Sequence, residues 1–216
     1  MNLETVELTP QDFDRAAILL ANAFYDNPSH QYIFQNPANR EKLLCWGLRA
    51  NLKLNLASPM AREMSFALVE NKPPGIRKIK AMGFWHPPEH ITVNFLAKLK
   101  SGWFAAPFMF GRENYQRLSE VFAAIEKVKQ EVLGKKKAWY LNNMAVAQDL
   151  RRTGIGSRLL KRELREKIVP SGYPAVLMTQ KQTSVEFYRH LGFKVVLEFT
   201  IGDRENAFTN WCMLFE

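Results

Sequence analysis

The sequence predicts a mixed α/β fold in one domain, on three observations. From residue 138 onward the apolar pattern runs strand, helix, strand, helix, strand. The chain has 216 residues, 47% hydrophobic and 24% charged, the balance of a globular protein able to bury a full core. No internal repeat, low-complexity tract or Ser/Gly-rich linker divides it.

The elements follow in order. Residues 3–8 alternate apolar and polar, as a strand does. Thr9 and Pro10 read as the cap and first turn of a helix carrying Phe13, Ala17, Leu20, Ala21 and Phe24, which Asp26-Asn27-Pro28 stops. A second helix is expected from about Asn39 to Leu56. Two strands, 65–70 and 76–85, are joined by a turn over Asn71-Lys72-Pro73-Pro74-Gly75. Residues 91–134 look helical, best phased at Leu118, Phe122, Ile125 and Val132. Next come a strand (138–146), a helix (154–168), a strand (174–179), a helix (183–191) and strands near 193–200 and 207–215.

Composition excludes several classes. The apolar run from Trp103 to Phe110 contains Pro107 and is far shorter than the roughly 20 residues that span a bilayer. The start, Met1-Asn2-Leu3-Glu4, lacks the order of a secretory signal. Cys45 and Cys212 are too few for a disulfide framework or a cysteine zinc site, so a reducing cytoplasm and no metal are expected. The net charge of +9 favours an anionic partner without naming it. The basic pieces Ile76–Lys80 and Lys135–Lys137 read as solvated edges.

The chemistry is concentrated in residues 138–157. In the strand, large apolar residues fall at odd positions, Trp139 and Leu141, then at even ones, Met144 and Val146. Side chains alternate faces, so one surplus residue near Asn142-Asn143, a β-bulge, would restore the phase. A strand buried on both faces is the other reading. After it, Gly154 and Gly156 let backbone amides converge at a helix start, with Arg151 and Arg152 beside them. Such a place suits a di- or pyrophosphate. Leu159 stands where a dinucleotide fingerprint needs its third glycine, and no Walker run occurs.

Arg151-x-x-Gly154-x-Gly156 after a strand resembles the coenzyme A motif of the GNAT acetyltransferases. The stretch Thr183–Phe193, with Phe187-Tyr188 and Gly192-Phe193, resembles that superfamily's second signature. Gly83-Phe84-Trp85-His86-Pro87-Pro88 and Asn210-Trp211-Cys212-Met213 look most like its puromycin-acetyltransferase-like branch. The resemblance covers 138–215 firmly and 3–88 loosely, with 89–137 as a helical insertion in a single domain spanning 1–216.

The resemblance implies a central, mostly antiparallel sheet with a splayed parallel strand pair and helices on both faces. It implies an N-acetyltransferase using acetyl-CoA, with direct attack by a primary amine of a small molecule or peptide. Amides at Met144, Ala145 and Val146 would hold the cofactor's arm. Arg151, Arg152, Thr153, Gly154, Ile155, Gly156 and Ser157 would wrap its pyrophosphate, with Ser184 and Tyr188 also in contact. Tyr188 would be the general acid that protonates the departing thiolate. Ser184 stands where many relatives carry asparagine, and Arg152 where they often carry glycine.

No motif fixes a general base. His86, Glu89 and His90 follow the third strand, near where the acceptor should lie. The aromatic run Gly102–Phe110 walls an apolar acceptor pocket, covers one as a lid, or packs on the core as a helix. A non-catalytic acyl-CoA sensor remains an alternative. A nucleic-acid binder is not expected, since no helix gathers a basic face with stacking aromatics. Nor is a membrane partner; monomer and homodimer are both open.

Overall fold

The computed structural model describes residues 3–72, 76–89 and 95–216. The expected turn at 71–75 lies partly, and His90 wholly, outside these residues. β1 (Leu3–Val6) leads through a 3-10 turn (Pro10–Asp12) into α1 (Phe13–Phe24). The turn is closed by Asp12, whose Oδ2 accepts from the Thr9 amide at 3.0 Å and from its hydroxyl at 2.7 Å. α2 (Pro28–Ile33), α3 (Pro37–Asn55) and α4 (Pro59–Arg62) follow, each opened by proline behind a side-chain cap from Asn27, Asn36 or Ser58. The expected stop at Asp26-Asn27-Pro28 is thus also a start, because Asn27 caps α2.

β2 (Ser65–Lys72) and β3 (Ile76–His86) precede α5 (Phe95–Ser101), α6 (Ala106–Phe110) and α7 (Arg112–Leu133). The helical region expected at 91–134 is therefore broken. Gly111 takes φ of 76° between α6 and α7, a conformation that a helix cannot continue through. In α7 the buried face carries Leu118, Val121 and Val128, while Phe122 remains 46% exposed. β4 (Trp139–Val146) is followed by α8 (Ile155–Glu163), a π-helical stretch (Leu164–Ile168) and α9 (Val169–Ser171). β5 (Ala175–Thr179), α10 (Gln182–Arg189), β6 (Lys194–Ile201) and β7 (Phe208–Phe215) complete the order.

The strands form one sheet in the order β1-β2-β3-β4-β5-β7-β6, antiparallel except for the β4–β5 pair. Successive side chains serve opposite layers. Met82 and Phe84 of β3 join the core beneath α1 and α3, while Ala81 and Trp85 join the core beneath α8 and α10. A small third cluster ties Val128 of α7 to Val176 and Cys212.

Lys80 departs from the solvated edge expected for 76–80. It is 3% exposed and ion-paired with Asp149, with Glu70 at 3.6 Å. Its hydrogen bond to Asp149 raises its pKa against the opposing effect of burial. Lys135, Lys136 and Lys137 are exposed as expected. Among the described residues no helix is long and apolar enough to cross a membrane.

Candidate active site

The surplus residue of β4 is Asn142. Phe84 pairs with Asn143 and Trp85 with Leu141, which leaves Asn142 without a partner on β3. Trp139 and Leu141 consequently pack in the α8 core, and so do Met144 and Val146, while Ala145 turns to the α1 core. Gly83 lies opposite Met144, and a Cβ there would come within 2.9 Å of the Asn143 carbonyl.

β4 and β5 pair only at Trp139↔Ala175 and Tyr140↔Val176. Beyond these the strands part. A cavity of about 450 Å³ occupies the gap and continues to either side, walled by Leu141–Val146 and by Leu177–Thr179.

At one end of the gap lies the loop before α8. Gly154 takes φ of 79°, and Arg152 is the non-glycine residue with a positive φ, 63°, among the described residues. Glycine would take this backbone conformation without strain. Gly156 permits close packing: a Cβ there would stand 3.2 Å from Val146 Cγ2. Arg158 donates to Gly154 O, so the amides of the first turn before it have no intrahelical acceptor. Arg151 Nε donates to Val146 O at 3.2 Å, and Thr153 Oγ1 to Leu150 O at 2.7 Å. Behind the loop, the Lys80–Asp149 ion pair and the Ala147 amide donating to Lys80 O at 2.7 Å tie it to β3.

The sequence-predicted residues fall into two groups. Met144, Ala145, Val146, Arg151, Ser184 and Tyr188 all line the cavity. Arg152, Thr153, Gly154, Ile155, Gly156 and Ser157 form the loop and helix start beside it; Ile155 buries its side chain in the core, leaving its amide as its polar contribution. Tyr188 is half-buried, with Phe187 at 5.0 Å and Phe193 at 5.8 Å, both edge-on. Burial raises its pKa, so the phenol keeps its proton.

The proposed bases are placed differently. His86 and Glu89 are not among the residues that line the cavity. Asn142 Nδ2 donates to His86 Nε2 at 2.5 Å, and Tyr140 stacks on that ring at 6.0 Å. Glu89 is exposed and paired with Lys137 at 3.1 Å.

At the other end, Phe34, Leu44, Leu48, Phe110, Val121 and Ile125 make an apolar wall. Trp103 also lines it, whereas Phe104 and Phe108 of the same aromatic run are 54% and 89% exposed. The run is therefore divided between wall and surface. Polar groups at the junction were not legible in the sequence. Asn27 Nδ2 donates to Gln180 Oε1 at 3.1 Å, and Gln180 Nε2 to the wholly buried Asn210 at 2.6 Å. Asn143 Nδ2 donates to Asn51 Oδ1 at 3.3 Å. Each comes from a different element, and spacing along the chain carries no signal of such a meeting.

Residues 117–195 match the family described as an acetyltransferase (GNAT) domain. No curated protein matches the sequence. Among solved structures, the histone acetyltransferase HPA2 and related acetyltransferase of Corynebacterium glutamicum aligns with a TM-score of 0.65, at 17% identity over 99% of this chain and 96% of that one. The chain has the GNAT acetyltransferase fold.

Two further GNAT-fold neighbours are the polyamine N-acetyltransferase of Drosophila melanogaster and the paia N-acetyltransferase of Thermoplasma acidophilum. The first has a TM-score of 0.61 at 11% identity, covering 100% of both chains. The second, solved with coenzyme A, has a TM-score of 0.55 at 11% identity, covering 100% of this chain and 99% of that one. GNAT acetyltransferases use acetyl-CoA. The residues here fit that cofactor: free amides at the α8 start, the Cβ-free approach at Gly156 and the Arg151 guanidinium suit a pyrophosphate.

Proposed function

We propose that the chain is an acetyl-CoA-dependent N-acetyltransferase that modifies the primary amine of a small molecule or peptide, with donor and acceptor held together. The observation that carries this reading is the continuity of one cavity. It runs from Arg151, through the gap between β4 and β5, to the apolar wall around Phe34 and Phe110. A sensor of the cofactor has no need of the space beyond the gap. On this reading residues 1–216 act as one domain, with 89–137 supplying part of the acceptor wall.

When bound, the cofactor supplies an acetyl group activated as a thioester. Amides of Gly154, Ile155, Gly156 and Ser157, with Arg151 and Arg152, would hold its pyrophosphate, and Ser184 would contact it nearby. The β4 segment Met144–Val146 would hold the arm and present amides to the carbonyl oxygen, where negative charge develops. Tyr188, kept protonated by burial, would donate to the leaving sulfur. Fixing the two reactants side by side removes much of the entropic barrier. Among the described lining residues there is no aspartate or glutamate, while aromatic and aliphatic side chains predominate at the acceptor end. An amine with an apolar body suits that wall better than a polyamine, whose additional cations would stay unpaired.

A thiol-release assay over a panel of amines tests the reading. Tyr188→Phe is expected to lower kcat by about 100-fold with the Kd for coenzyme A unchanged. Tight coenzyme A binding without thiol release from any amine would establish the sensor instead.

A further inference from the structure

An amine that attacks as the free base carries a surplus proton once the nitrogen–carbon bond forms, and the cavity restricts where that proton can go. The described lining residues with titratable side chains are His30, Tyr140, Arg151, Lys181 and Tyr188. Arg151 and Lys181 are cations without a lone pair, and Lys181 is paired with Asp26 at 2.7 Å. Burial raises the pKa of both tyrosines, which keeps them protonated. His30 is the group left with a lone pair at neutral pH.

The setting of His30 is unusual for a histidine that serves packing alone. It sits in the first turn of α2, where its amide donates to the Asn27 carbonyl at 3.0 Å. Its ring lies nearly parallel to that of Phe24, 15° apart with centroids at 5.6 Å. Among the described residues its Nδ1 is buried and has no hydrogen-bond partner. A buried nitrogen with nothing to bond calls for an explanation. Burial also lowers its pKa to about 4, with no neighbouring charge contributing, so the imidazole is neutral.

We propose that His30 is the catalytic base, taking the proton released by the acceptor amine. This rests on the acetyltransferase reading. As the nitrogen–carbon bond forms to the acetyl carbon, the surplus proton on nitrogen passes to the His30 ring. The carbon–sulfur bond breaks with its electron pair on sulfur, and sulfur takes the Tyr188 phenol proton. Charge balances when the imidazolium later gives its proton to water and the phenolate recovers one.

His30→Gln keeps a polar side chain that cannot take up a proton. It is expected to lower kcat at least 100-fold, to remove the acid limb of the kcat profile, and to leave the Kd for coenzyme A within about twofold. In His30→Ala, added imidazole is expected to restore part of the rate. A readout independent of turnover is 15N NMR of the wild-type protein with coenzyme A bound. The His30 ring nitrogens should titrate below the ordinary histidine range and shift when an accepted amine is added. Wild-type kcat and pH profile in His30→Gln, or ring signals indifferent to the amine, would overturn the role while leaving the acetyltransferase reading intact. Absence of thiol release by the wild type would overturn the reading itself, and the role with it.

Discussion

The two ends of the cavity are built on different principles. At the α8 end the groups suited to hold a ligand are mostly backbone: amides at a helix start, a positive-φ turn at Gly154, and a strand put out of step by one residue. At the α6–α7 end they are side chains, converging on Phe110 from α2, α3 and α7. Backbone recognition needs a short run of residues that permit one local geometry. Side-chain recognition needs distant elements to meet, and many sequences can achieve it. A fold constructed this way can keep one ligand while changing the other.

Whether the two ends are independent can be measured. The largest effect is expected at Phe110, which packs against Phe34 at 5.1 Å and Trp46 at 5.2 Å and is 5% exposed. Phe110→Ala should cost about 3–5 kcal/mol in urea unfolding while leaving coenzyme A affinity unaltered. A parallel loss of that affinity would show that the two ends are not separable.

Acid provides the next test. The folded pKa of His30, about 4, lies below the ordinary 6.5, so the unfolded chain takes the proton first as pH falls. Its contribution to stability is intact above pH 6.5 and is lost progressively down to about pH 4, up to about 3 kcal/mol. His30→Gln should remove that part of the pH slope in thermal melts. A slope unchanged by the substitution would mean that His30 is not buried as a neutral ring.

Smaller effects belong to the α8 end. Gly156→Val brings a Cβ into the 3.2 Å approach to Val146 and should cost about 1–3 kcal/mol in urea unfolding. It should also weaken coenzyme A about tenfold by calorimetry, which corresponds to about 1.4 kcal/mol. Arg151→Glu should weaken coenzyme A by about 1 kcal/mol at moderate salt and by more at low salt. Amine KM should be insensitive to Arg151→Glu if the ends are independent.

This contrast also explains what the sequence made legible. The odd-to-even switch from Trp139 and Leu141 to Met144 and Val146 is a local signal, and the structure resolves it into the bulge at Asn142. The glycines at 154 and 156 are local signals too. His30 gives none: Asn27-Pro28 reads as the end of α1, although the same pair caps a new helix that brings His30 to the cavity wall. Lys80 looks like a surface cation until Asp149, far along the chain, closes over it. The breaks between α5, α6 and α7 were signalled by Gly102, Pro107 and Gly111, but helical periodicity on either side obscured them.

The surplus position in β4 constrains how this molecule can evolve. Substitution at Asn142 alters one side chain, whereas excising that residue would turn over everything downstream in the strand. Met144 and Val146 would swing into the layer beneath α1, Ala145 would face α8, and the snug fit at Gly156 would become a hole. A lineage descending from this chain can therefore exchange the amino acid at that point at the cost of one side chain's hydrogen bonds, yet a single lost codon would erase the whole apparatus at one stroke.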